Sequence, residues 1–200
     1  MVKKNRQFLV SVLLVLTLAS CNLSRPILNK SHRQYEKAGL REWTTDSDSS
    51  SIHWRKVGRG DQKLLLIHGF GASAELQWEG VVAALHDEFT IYIPDILYFG
   101  QSTSQSHQFS PMFITRQLHA SLCLFESDRV MVAGLSYGGL VAGLFAHQYP
   151  QKTRALVLID ALSPFASSAH TDSLAQAHGY NDIDEILIPE NGKAFKPSLK

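Results

Sequence analysis

Cysteine is scarce in this 200-residue chain, which has two, at positions 21 and 123. Cys21 closes a short apolar leader, so Cys123 is left alone and no internal disulfide is expected. Set among Leu118, Leu122 and Phe125, Cys123 reads as a small core residue rather than a reactive thiol. An excess of either charge is also missing. Lys and Arg number 19 against 18 Asp and Glu, a formal net charge of +1. Setting aside Lys3, Lys4 and Arg6 of the leader, 16 basic residues face 18 acidic ones, for −2. Neither value suits a polyanion partner, so nucleic acid is not expected. The apolar run from Phe8 to Ala19 is too short to span a bilayer comfortably. No metal or cofactor is called for. What remains is ordinary: 44% apolar and 18% charged residues, enough for one globular domain with a substantial core.

The N-terminus is an address. A basic region (Lys3, Lys4, Arg6) leads into the Phe8–Ala19 run and then Leu18-Ala19-Ser20-Cys21. This order resembles a bacterial lipobox, in which small residues admit the signal peptidase and the cysteine thiol is lipidated. The resemblance implies a signal peptide over 1–20, lipidation of Cys21, and a chain held to the membrane by several acyl chains. Asn22 rather than Asp follows the cysteine, which favours the periplasmic face of the outer membrane. An ordinary signal peptide with a coincidental cysteine is the alternative. Residues 21–38 read as a polar, basic tether ending in a short helix.

The chemistry centres on Arg129 to Gly139, RVMVAGLSYGG. Val130 to Ala133 predict a strand buried on both faces, and Leu140, Val141, Leu144 and Phe145 recur at helical spacing. Strand, G-x-S-x-G and helix in succession is the context of a nucleophile elbow. Such a turn lifts the serine hydroxyl above the sheet edge, and side chains at Gly134 or Gly138 would collide there.

Upstream, Leu40–Thr44 and Ile52–Val57 predict strands joined by a polar turn. Lys63–Ile67 predicts a buried strand that empties into His68-Gly69-Phe70-Gly71, and Trp78, Val81, Val82 and Leu85 mark the helix after it. A glycine-rich turn there can aim backbone amides at a developing oxyanion. Phe89–Ile93 is a further strand, running into Pro94-Asp95 with Gly100 and Ser102 beyond. Ile114, Leu118, Leu122 and Phe125 predict the next helix, and Thr153–Ile159 a further buried strand ending at Asp160.

From about Leu40 to Pro164 the chain resembles the α/β-hydrolase family, on HGFG, PD-x-x-x-x-G-x-S and G-L-S-Y-G-G in the family's order. The resemblance implies an α/β fold, a mostly parallel sheet flanked by helices, over residues 39–163. It implies Ser136 as nucleophile and the amides of Phe70 and Tyr137 as the oxyanion hole, shaped by Gly69, Gly71, Gly134 and Gly138. Asp160 is a candidate substitute acid. Asp95 is expected to order its loop, and His68 to pack beneath the oxyanion turn. Tyr98 departs from the pattern, since many members have glycine there. A serine at the elbow argues against haloalkane dehalogenases and epoxide hydrolases, which use aspartate.

Family order places an acid and then a histidine after the serine. Ser163–Lys200 instead looks like the start of a cap (164–200), so the core is expected to be incomplete, lacking C-terminal strands and leaving a sheet edge unpaired. His147 is too far along its helix to serve as base, and His170 and His178 read as surface residues. The expectation is a lipid-anchored serine hydrolase acting on a small-molecule ester or related acyl bond, weak or inactive as it stands. A non-catalytic or decayed lipoprotein scaffold is the alternative. A doubly wound cofactor-binding protein fits poorly, because GLSYGG does not match G-x-G-x-x-G.

Overall fold

The computed structural model describes residues 28–161 except 48 and 72, together with residues 173 and 176. The expected leader, Cys21, His170, His178 and nearly all of the expected cap lie outside the described residues. The chain divides into two compact units with the break after Ala161, and the sheet belongs to the first.

That unit centres on a seven-stranded sheet ordered β1-β2-β4-β3-β6-β7, with β5 paired to β2. The strands are β1 (Arg41–Asp46), β2 (Ser50–Val57), β3 (Gln62–Ile67), β4 (Phe89–Pro94), β5 (Thr103–Ser104), β6 (Val130–Leu135) and β7 (Thr153–Ile159). β1 and β2 are antiparallel, while β4, β3, β6 and β7 run parallel. Four helices accompany them: α1 (28–37), α2 (Ala74–Leu85), α3 (Pro111–Cys123) and α4 (Tyr137–Gln148).

The continuous apolar run of β3 follows from burial on both faces. Leu65 and Ile67 join Trp54, Leu118, Leu122, Val132, Val141 and Phe145 in a core beneath α3 and α4. Leu64 and Leu66 point the other way, into a core with Tyr35, Trp78, Val82 and Ile93 beneath α1 and α2. α3 starts cleanly, since the Ser110 side chain accepts a hydrogen bond from the Phe113 amide and Pro111 occupies the first turn.

Three features refine the sequence reading here. The end of the segment read as a tether is helical over 28–37, and fully buried Tyr35 donates to the Glu75 carbonyl at 2.9 Å, tying α1 to α2. Cys123 is exposed rather than in the core. One residue past buried Leu122 turns it about 100° around α3, and its sulfur lies 3.5 Å from His119 Nε2. β5, two residues long, has no hydrophobic alternation by which to be recognised.

Candidate active site

β6 ends at Leu135 and α4 begins at Tyr137, so a single residue makes the turn. That residue, Ser136, has φ 52° and ψ −119°, a region that L residues avoid. The surroundings over-determine it. Its amide donates to the Ile159 carbonyl of β7 at 2.9 Å, and its carbonyl accepts from the Gly139 amide at 2.9 Å. A methyl at Gly134 would overlap the Gly138 carbonyl, and one at Gly138 would overlap the carbonyl oxygens of Ile67 and His68. The two glycines therefore let the first turn of α4 sit directly on the ends of β3 and β6. Ser136 itself is half-buried.

The H-G-F-G turn meets this apex. A Cβ built on Gly69 would lie 3.1 Å from the Leu135 carbonyl oxygen and 3.3 Å from Ser136 Cβ. Gly71 has φ +73° with open space around it, so its glycine serves backbone conformation, not clearance. The Phe70 ring, 64% exposed, packs edge-on against Tyr137 with centroids 6.2 Å apart. Residues 69–71 and 136–137, far apart in sequence, thus form one corner at the carboxyl edge of the sheet.

Two side chains that no motif marks hold this corner. Gln77, on α2, accepts from the Gly69 amide at 2.6 Å. Phe99 packs edge-on against both Phe70 and His68, at 5.3 and 5.6 Å. His68 is buried and bridges two loops: the Ile96 amide donates to Nε2 at 3.0 Å, so Nδ1 carries the proton and donates to the Gly69 carbonyl at 2.8 Å. Burial pushes its pKa below the usual histidine value, outweighing the Gly69 bond and the Asp95 charge. His68 is thereby a neutral clamp, with neither nitrogen left for Ser136.

Asp95 orders the following loop. Its carboxylate pairs with Arg55 Nη1 at 2.8 Å, both side chains being buried, and accepts from the Gln101 amide at 3.0 Å. Ser102 Oγ donates to the Asp95 carbonyl at 2.6 Å, and a methyl at Gly100 would overlap the Asp95 carboxylate. Asp, Gly and Ser of the PD-x-x-x-x-G-x-S motif are therefore one interlocked turn. Glu42 lies 3.2 Å from Arg55 Nε without hydrogen-bond alignment, adding charge balance only. Tyr98 keeps the left-handed backbone, φ 72°, that a glycine would adopt easily. Its hydroxyl donates to the carbonyls of Ser106 and Gln108 at 2.8 and 2.9 Å, and its ring packs on Phe109. These contacts offset the strain of a side chain at that position.

Asp160 follows the β7 residue that accepts from the Ser136 amide, and is exposed with φ 45°. It makes no hydrogen bond to Ser136 among the described residues. His147 sits in the last turn of α4, at the opposite end from Ser136. Within the described residues no histidine or carboxylate bonds the Ser136 hydroxyl, and no group of three His, Cys, Asp or Glu residues could hold a metal.

A sequence profile of the family described as alpha/beta hydrolase fold matches residues 63–186. The chain belongs to the α/β-hydrolase family. An uncharacterised protein of Mycobacterium tuberculosis strain H37Rv is 38% identical over 108 residues, covering 54% of this chain and 31% of that one. The pimeloyl-[acyl-carrier protein] methyl ester esterase of Salmonella newport is 32% identical over 119 residues, covering 60% and 44%. A crystal structure of a membrane phospholipase A, described as a bacterial virulence factor, superposes with a TM-score of 0.63 at 26% identity, covering 88% of this chain and 58% of that one. The matched regions thus span less than half of either curated relative. The α/β-hydrolase likeness agrees with the mostly parallel, helix-flanked sheet.

Proposed function

We propose that this α/β-hydrolase is a serine hydrolase cleaving ester-type acyl bonds, held to the membrane by a lipid on Cys21. Ser136 Oγ would attack the acyl carbonyl carbon. The carbonyl electron pair moves onto oxygen, towards the amides of Phe70 and Tyr137, and collapses back as the alcohol leaves with the serine's proton. Water then attacks the acyl-enzyme, releasing the acid and restoring the hydroxyl. The observation that carries this reading is the backbone of Ser136: a strained residue in a corner cleared by glycines, facing the Gly69 turn. The esterase and phospholipase relatives support an acyl substrate. A serine at the elbow in place of aspartate weighs against epoxide opening.

Among the described residues no side chain stands ready as general base to Ser136, and a serine without one loses several orders of magnitude in rate relative to a triad enzyme. Labelling the full chain with a fluorophosphonate, beside hydrolysis of short p-nitrophenyl esters, tests the assignment. Label on Ser136 that disappears in Ser136→Ala supports it, and palmitate incorporation lost in Cys21→Ala supports the anchor. That no base bonds the Ser136 hydroxyl among the described residues also suits a second reading, a non-catalytic lipoprotein that keeps the scaffold. Absence of label in a folded chain would select that reading.

A further inference from the structure

The sheet edge remote from Ser136 carries a cleft of about 380 Å³. Arg59 and His86, which precede β3 and β4, lie in its wall with Lys37, Arg41 and Lys56. Among the described residues no carboxylate lines it. Asp87 outside the wall takes Arg59 at 2.7 Å and lies 3.5 Å from His86 Nδ1. Lys37, Arg41 and Lys56 make no ion pair among the described residues. Arg41 and Lys56 also stand directly opposite each other in the β1–β2 ladder, a like-charge arrangement that costs stability unless a counter-charge is supplied. Lys56 lies 5.8 Å from the Tyr92 ring centre, which leaves its positive charge uncancelled. The amides of Gly58 and Arg59 are spent on the Ala38 and His86 carbonyls, so side chains are the donors that remain.

The positive surface continues along α1. A second depression of about 520 Å³ is lined by Asn29, Lys30, Arg33, Gln34 and Lys37. Lys30, Arg33 and Lys37 recur three and four residues apart, forming one helix stripe, and Lys37 belongs to both depressions. Glu36, the acid on this helix, is near His32 at 3.9 Å. A helix repeating like charge at this spacing loses stability on its own, so the stripe too lacks a counter-charge.

We propose that the stripe and cleft dock on the anionic headgroups of a phospholipid membrane surface. Headgroup phosphates supply the charge that Arg41, Lys56 and the α1 stripe lack, across a surface rather than at one point. Chain position favours this occupant. Six residues lie between Cys21 and residue 28, seven chain steps that reach at most about 25 Å, so an anchor at Cys21 holds the stripe near the bilayer. That inference rests on the proposed lipid anchor and not on the hydrolase reading. An acyl anchor joined to a basic surface gives the two signals that stable membrane attachment needs. A nucleic-acid backbone offers the same phosphates, but among the described residues no Phe, Tyr or Trp lines either depression for bases to stack on. Docked this way, the chain turns the Ser136 corner away from the bilayer, toward water-borne acyl substrates.

Sedimentation of the full chain with vesicles tests this, comparing phosphatidylcholine alone with phosphatidylcholine containing phosphatidylglycerol. The expected result is tighter binding to the anionic vesicles, weakened at about 1 M salt where the screening length falls to about 3 Å. Lys37→Gln/Arg41→Gln/Lys56→Gln should lose about a hundredfold and Lys30→Gln/Arg33→Gln about twenty-fold, near fivefold for each cation. Circular dichroism checks the fold. The second pair is exposed, so it decides the matter should the triple variant unfold. Equal binding to both vesicles, or anionic binding unchanged in the pair variant, would overturn the proposal. So would competition by millimolar inorganic phosphate, which would mark a small-ion site, or tighter binding to duplex DNA than to anionic vesicles.

Discussion

At the residue scale, the candidate site depends on two kinds of restraint, clearance and hydrogen bonding. Clearance is tested at Gly138, where a methyl would meet backbone oxygens that cannot move independently of β3. Gly138→Ala should cost about 1–3 kcal/mol in urea unfolding and abolish probe labelling of Ser136, whereas Gly80→Ala, with open space at its Cβ, should do neither. Hydrogen bonding is tested through His68, whose pKa is held down by burial. Its folded form stays neutral while the unfolded chain takes up a proton near pH 6.5, so the unfolded state binds more protons in that window. Stability should therefore be full above about 6.5 and fall as pH drops below it. His119, also lowered by burial, acts in the same direction. Denaturation midpoints measured from about pH 7.5 to 5.5 should fall, and His68→Gln should flatten the slope in part, His119→Gln removing more. A slope unchanged in His68→Gln would contradict the clamp.

At the element scale, the loop after β4 is fixed by a buried pair. Asp95→Ala leaves Arg55 charged inside the fold and should cost about 3–5 kcal/mol, with Phe99 losing its place against Phe70 and His68. Loss of ester hydrolysis or labelling alongside the stability change would show that this loop supports the corner. The same loop shows what the sequence could and could not say. Asp95, Gly100 and Ser102 stood out through the resemblance to the family's PD-x-x-x-x-G-x-S motif, and one tight turn accounts for their types. Their partner Arg55 did not stand out: it shares β2 with Ser50, Ser51, His53 and Lys56, nothing in the strand marks it out, and only the sheet that brings β2 beside β4 identifies it. Gln77 was invisible for the same reason, its role created by where α2 lies. β3, β4 and β6 were legible because burial on both faces demands unbroken apolar runs, whereas β7, expected to be buried from the same kind of run, is exposed from Leu156 to Ile159. β5 and the outward turn of Cys123 were not legible, since two residues carry no period and one residue's rotation about α3 separates core from solvent. Tyr98 was noticed as an exception, and its left-handed backbone keeps the shape that glycine would have provided.

At the scale of the whole molecule, β7 stands out. Leu156, Val157, Leu158 and Ile159 are each 38–46% exposed on a strand whose one partner among the described residues is β6. Such an apolar strand invites pairing between copies. Leu158→Lys should raise the concentration at which the chain stays monodisperse in light scattering, with little change in melting temperature. The sheet also separates two features in space: the glycine-cleared corner at its carboxyl edge and the cationic cleft at the other. The proposed acyl chemistry belongs to the first. Mass spectrometry of the full chain after fluorophosphonate treatment, with Ser136→Ala in parallel, tests it. One adduct is expected, on the peptide carrying Ser136 and absent in the variant; an adduct on another residue, or equal labelling of both chains, would rule the nucleophile out.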